Sequence, residues 1–192
     1  MVKSNTKKQI ILGSKSPRRI ELLKLMGFHF ETRKLDVDEK YPKNLSPIQI
    51  AVFLSRKKAE AHQIETNNIL ICADTIVYNQ RNVLGKPKSK EEAIKMLTYI
   101  SNKRHFVVTG VTIKTTTKTI SFYERSIVYF KKLRRKEIEF YIEKYMPFDK
   151  AGSYGIQEWI GLIGIKKISG SFYNIMGLPT LKVYEKLTQL TK

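Results

Sequence analysis

Ile69-Leu70-Ile71-Cys72-Ala73-Asp74-Thr75-Ile76-Val77 is an apolar run of strand length with one carboxylate inside it. A run this uniform predicts a strand buried on both faces, of the kind found inside an α/β sheet. An isolated acid in such a strand is costly unless it is paired, hydrogen-bonded or metal-bound. Asp74 is therefore either a buried structural acid or a working one. Cys72 is the only cysteine of the chain. It reads as an inert core thiol, since no histidine is near it in sequence and a thiolate needs polar activation. One cysteine permits no intrachain disulfide, and a reducing cytoplasm is expected.

Upstream, Gln9-Ile10-Ile11-Leu12 reads as a short buried strand running into Gly13-Ser14-Lys15-Ser16-Pro17-Arg18-Arg19. Ser16 suits a helix N-cap and Pro17 the first helical position. Ile20, Leu22, Leu23 and Met26 follow at helical spacing, and Gly27 supplies the stop. A strand, a Gly/Ser loop and a helix N-terminus make an anion site of free amides and positive dipole. Arg18 and Arg19 add guanidinium groups that grip phosphate oxygens in pairs. The spacing is not that of a Walker loop, so an ordinary helix cap with two solvated arginines is the rival reading. Phe28 to Thr32 predicts a second strand, and Asp36, Asp38 and Glu39 follow in a loop ending at Tyr41-Pro42. Acids so close together suit a divalent cation or a solvated turn. Ser46-Pro47 opens a helix expected to run through Gln63, with Arg56, Lys57 and Lys58 as a wet face.

Downstream, Tyr78 to Asn82 predicts a hairpin into Val83-Leu84, and Gly85-Lys86-Pro87 a loop with Lys86 held extended. Ser89 caps a helix over Glu91 to Ile100. Phe106 to Lys114 and Thr119 to Phe130 are β-branched and aromatic, and read as a long hairpin turning at Thr115 to Lys118. Arg135 to Tyr145 is an amphipathic helix stopped by Pro147. Asp149 to Gln157 is polar and glycine-punctuated, and Ile160 to Ile168 reads as a strand with glycine breaks. Gly170-Ser171 to Gly177-Leu178-Pro179 is a turn and short helix, and Leu181 to Leu190 a closing helix.

The 192 residues, 42% of them hydrophobic, fit a single globular unit. No apolar run approaches the ~20 residues that span a bilayer, and none behind the polar N-terminus suits a signal peptide. The net charge of +19 invites a nucleic-acid partner. The basic residues are scattered, however, with one dense run at Lys131 to Lys136 and no zinc-finger, RNA-binding or zipper pattern. A solvated basic surface, or a basic cleft for phosphate-bearing small molecules, is the expectation.

Five stretches, taken together and in order, resemble the Maf-like nucleotide pyrophosphatases. They are Ser14 to Arg19, Ala73-Asp74-Thr75, Gly85-Lys86-Pro87, Asp149 to Gln157 and Met176-Gly177-Leu178-Pro179. They cover Ile10 to about Leu190. The resemblance implies an α/β fold related to the inosine triphosphate pyrophosphatases: a mixed curved sheet in two lobes around a nucleotide cleft. It implies one Maf-like domain over residues 1–192, with 1–8 as a basic disordered tail. It also implies hydrolysis of a nucleoside triphosphate to monophosphate and pyrophosphate with a divalent cation, Mg²⁺ or Mn²⁺. On this resemblance Asp74, Lys86 and Lys58 are catalytic, and Asp74 and Glu39 hold the metal. Ser14, Ser16, Arg18, Arg19, Thr75 and Gln157 bind substrate. Gln157 marks the members that act on dTTP and UTP in a house-cleaning role, with Thr75 and Arg18 as companion positions. Gly13 stands where the family often has Ala. The expected partners are the nucleotide and, as a homodimer, a second copy of the chain. Neither membrane nor nucleic acid is expected. Two other readings stand beside this one. One is a basic, non-enzymatic regulator of cell division binding nucleic acid or nucleotide. The other, resting on fold analogy alone, is an enzyme for purine analogues such as inosine triphosphate.

Overall fold

The structure is a computed structural model that describes residues 8–33, 36–80 and 82–191. The tail expected over residues 1–8 lies outside the described residues except for Lys8, whose ammonium donates to the Leu190 carbonyl. Among the described residues, seven strands form one mixed sheet: β1 (Gln9–Leu12), β2 (Phe30–Thr32), β3 (Asn68–Asn79), β4 (Asn82–Leu84), β5 (Arg104–Lys114), β6 (Thr119–Phe130) and β7 (Ile165–Ser169). The order is β2-β1-β3-β5-β6-β7, with β4 paired to the end of β3. β1 is parallel to β2 and β3, while β3, β5, β6 and β7 run antiparallel in succession. The uniform apolar run therefore lies in a central strand, parallel on one side and antiparallel on the other.

Alternation along β3 divides its side chains between two faces. Ile69, Ile71, Ala73 and Val77 enter the main core with Leu97, Ile142 and Leu187 from α3 (Lys90–Ile100), α4 (Arg135–Tyr145) and the closing helix α6 (Thr180–Thr191). Leu70, Cys72, Ile76 and Tyr78 face α2 (Pro47–Glu60), against Ala59, Ile50 and Leu54. Asp74 shares the register of this second set, and so points at α2. The Cys72 thiol is fully buried and burial pushes its pKa up to about 12, as an inert core thiol requires.

α2 begins where the sequence places it. The Ser46 hydroxyl accepts from Gln49 N–H at 3.4 Å, and Gln49 Oε1 accepts from Ser46 N–H at 2.9 Å, a reciprocal capping box. The helix stops at Glu60, short of Gln63. Its backbone rides directly on β5: a Cβ added to Gly110 would lie 2.3 Å from the Ala51 carbonyl oxygen. Gly110 is the register partner of Asp74. The contact therefore sets the height of α2 above the acid. Gly110→Ala is expected to lose about 1–3 kcal/mol of stability, because two backbones must separate. Urea denaturation measures it, and a variant as stable as the parent would show that α2 tolerates displacement.

One segment differs from expectation. Ile160 to Ile168 is not a continuous strand: Trp159–Gly164 is a helix, α5, and only Ile165–Ser169 joins the sheet as β7. Short apolar runs do not distinguish a buried helix from a strand by composition. Here the Glu158 carbonyl accepts from Gly161 N–H at 2.8 Å and Leu162 N–H at 3.3 Å, which starts the turn. Among the described residues, no helix is long and apolar enough to cross a membrane.

Candidate active site

Every residue that the resemblance assigns to catalysis, substrate or metal lines one cleft of about 650 Å³. That volume lies within the range of small-molecule sites. Its walls are the Gly13 to Arg19 loop, the middle of β3, the end of α2, the loop carrying Lys86, and the segment from Asp149 to Gln157.

Asp74 is only 8% exposed. Its Oδ1 accepts from Lys58 Nζ at 2.5 Å, and the same ammonium lies 2.8 Å from Glu39 Oε1. The wet face expected over Arg56 to Lys58 thus holds for Arg56 and fails for Lys58, which turns inward. Neighbouring Lys57 donates to the Lys40 carbonyl at 3.1 Å and draws the acidic loop onto α2. Burial acts to raise the pKa of the Glu39 carboxyl. The hydrogen bond from Lys58 and the charges of Lys58, Lys86 and Arg19 outweigh it, and the carboxyl lies below its usual range. Asp38 instead accepts from the Lys40 amide at 3.1 Å in a local turn.

Among the described residues, no three His, Cys, Asp or Glu side chains gather to hold a metal ion. The donor set nevertheless suits one class of cation. Two carboxylates, Asp74 and Glu39, converge on a single positive group. A hard cation such as Mg²⁺ takes one or two protein carboxylates and completes its shell with water and substrate phosphate.

Across the cleft, Gly13 N–H bonds the Ile71 carbonyl at 2.8 Å and carries β1 into the loop. The Ser14 hydroxyl accepts from the Ser16 amide at 3.2 Å. Ser16 stands at the N-cap of α1 (Pro17–Leu25), but its side chain makes no capping bond. The first-turn amides are therefore not capped by it. The two arginines separate in role. Arg19 is a strut whose Nε, Nη1 and Nη2 donate to the Gly177 carbonyl at 2.8 Å, Ser14 Oγ at 3.3 Å and Thr75 Oγ1 at 3.0 Å. Burial lowers its pKa, and the charge of Asp74 opposes that. The Thr75 hydroxyl also bonds Thr109 Oγ1 at 3.0 Å, and Thr109 donates to the Asn174 carbonyl. Arg18 reaches across the cleft and donates from Nη1 to Asp149 Oδ2 at 2.9 Å. Lys86 and Gln157 are exposed on the walls.

Asp149 and Lys150 also line the cleft, and neither was singled out individually by sequence reasoning. Lys150 is 8% exposed and its ammonium is 2.7 Å from Asp149 Oδ1. An acid-base pair opening a glycine-punctuated loop was the available signal.

The fold and site define an α/β protein with a phosphate-suited cleft, in which a carboxylate-ammonium cluster faces a helix N-terminus and a pair of arginines. The family model described as Maf-like protein matches residues 9–190, and the chain belongs to that family. It is 51% identical over 187 residues to a dTTP/UTP pyrophosphatase of Bacteroides thetaiotaomicron, covering 96% of this chain and 97% of the relative. It is 47% identical over 190 residues to a dTTP/UTP pyrophosphatase of Parabacteroides distasonis, covering 97% and 98%. In fold it is similar to a HAM1 protein from Coxiella burnetii, with a TM-score of 0.50 at 12% identity over 94% of this chain and 98% of that one.

Proposed function

We propose that the cleft hydrolyses the α–β phosphoanhydride of pyrimidine nucleoside triphosphates, dTTP and UTP before others, releasing the monophosphate and pyrophosphate. The observation that carries this reading is the largely buried Asp74-Lys58 pair, with exposed Glu39 joined to the same ammonium, facing the α1 N-terminus and Arg18 across one cleft. The activity named for both relatives supports it.

Asp74 orients the attacking water and accepts its proton. Lys58 holds the Asp74 carboxylate in place and keeps it beside Glu39. Arg18, Lys86 and the first-turn amides of α1 neutralise charge that spreads over the phosphate oxygens during transfer. Arg19, held through one bond from each of its three nitrogens to Ser14, Thr75 and Gly177, fixes the phosphate loop against β3. Thr75 acts through Arg19, since its hydroxyl is engaged there and with Thr109. Asp74 and Glu39 are the residues that would hold Mg²⁺ or Mn²⁺. When bound, the cation supplies neutralisation of phosphate charge and a lowered pKa for water. The site suits a house-cleaning enzyme of the cytoplasm. No observation favours a non-enzymatic regulator that binds nucleic acid.

Gln157 carries base choice in this reading. Its amide N–H donates to O4 and its carbonyl accepts from N3–H of uracil or thymine, whereas cytosine presents the reverse pattern. Losing the amide leaves polar groups unmatched, at about 1–3 kcal/mol. Gln157→Ala is expected to narrow the preference for UTP and dTTP over GTP and CTP. Measurement of kcat/KM for all four nucleotides checks it. Equal losses on all four would make Gln157 a loop support that does not read the base.

A further inference from the structure

Behind the loop that carries Gln157 lies a chain of polar contacts that the chemistry above does not use. Tyr141, on α4, is fully buried. Its hydroxyl accepts from the Gly155 amide at 3.0 Å and donates to Glu158 Oε2. The direction is forced, because an amide N–H only donates and a carboxylate only accepts. Burial, with Glu158 beside it, pushes the phenol above its ordinary pKa, so the proton stays in place. Glu158 Oε1 is in turn 3.2 Å from Lys150 Nζ, and Lys150 joins Asp149. The Glu158 carboxylate packs over Gly155 so closely that a Cβ there would meet its carboxyl carbon at 2.7 Å. Gly155, Gln157 and Lys150 all line the cleft, while Tyr141 and Glu158 stand behind it.

A buried ammonium paired with a half-buried carboxylate is expensive to keep, and packing alone would be served as well by apolar residues. What this network does is fix one backbone amide two residues before Gln157. Through Lys150, Asp149 and Arg18 it also joins the base end of the cleft to the phosphate end. We propose that Tyr141 and Glu158 are positioning residues for base selection, holding Gly155-Ile156-Gln157 in the one conformation that presents the Gln157 amide to a pyrimidine. This rests on the base-reading role of Gln157 proposed above.

The test compares the parent with Tyr141→Phe, Glu158→Gln and Gln157→Ala. The readouts are kcat/KM for UTP and GTP, and inorganic pyrophosphate affinity by calorimetry. Tyr141→Phe and Glu158→Gln are expected to lower the UTP/GTP ratio about fivefold, the scale of one lost hydrogen bond. The loss is expected in KM for UTP, with pyrophosphate affinity unchanged. A folded Tyr141→Phe protein with the parent's ratio and only a lower melting temperature would overturn the proposal. Should Tyr141→Phe fail to fold, the same ratio in Glu158→Gln decides it. If Gln157→Ala leaves the ratio unchanged, base reading by Gln157 falls and this proposal with it. If Gln157→Ala narrows the ratio while Tyr141→Phe and Glu158→Gln do not, positioning alone fails.

Discussion

Asp74→Asn is expected to leave the fold intact and to bring turnover below detection. Asn is isosteric and its side-chain oxygen can still accept from Lys58, while Lys58 keeps Glu39 at 2.8 Å as its charged partner. The buried ammonium is therefore not stranded, and the large penalty of breaking a buried pair is avoided. The chemistry has no such reserve. Loss of a positioned proton acceptor alone costs about 10²–10⁴-fold. Asp74 is also one of the two carboxylates proposed to hold the cation, so the variant would lose a negative oxygen ligand as well. Circular dichroism and thermal melting verify the fold, and steady-state hydrolysis of UTP measures the loss. A folded variant with near-parental rates would remove Asp74 from the reaction and leave it as a structural acid.

Arg18→Ala and Lys86→Ala are each expected to reduce kcat/KM by about 2–4 kcal/mol in transition-state terms, the scale of preorganised charge-stabilising groups. Arg18 has a further reason to be sensitive. It spans the cleft to Asp149, so its removal leaves Lys150 as the one remaining cation, among the described residues, on an acid whose carboxyl is held below its usual range. There burial acts to raise the pKa, and hydrogen bonds from Lys150 and Arg18 win. The Asp149 Oδ2 that Arg18 had covered would then repel an incoming triphosphate. Arg18→Ala is thus expected to raise KM as well as lower kcat. Unchanged kcat/KM in both variants would mean that the phosphates bind outside this cleft.

These expectations rest on features that were legible to very different degrees. β3 announced itself because a lone acid interrupts an otherwise apolar run. Ser46, Pro47 and Gln49 together spelled the start of α2. Lys58 was misread by local pattern, since its neighbours Arg56 and Lys57 made a plausible wet face. Only the approach of α2 to Gly110, nearly sixty residues later in the chain, turns it onto Asp74. Arg18 and Arg19 look equivalent in sequence. Their partners, Asp149 and Gly177, lie 131 and 158 residues away, and no local signal divides their tasks. The partners in the Tyr141, Glu158 and Lys150 network lie only 8 to 17 residues apart, but they sit on different elements and no helix or strand period pairs them. Trp159–Gly164 was misassigned because a six-residue apolar helix and a buried strand have the same composition.

The central claim is the bond that is cleaved, and the most direct test is the identity of the products. Phosphorus NMR on UTP incubated with the protein and Mg²⁺ resolves them, with Asp74→Asn prepared in parallel as the control for contaminating activity. The account predicts UMP and inorganic pyrophosphate in equal amounts from the parent and neither from the variant. Appearance of UDP with orthophosphate, or equal product formation by both proteins, would contradict it.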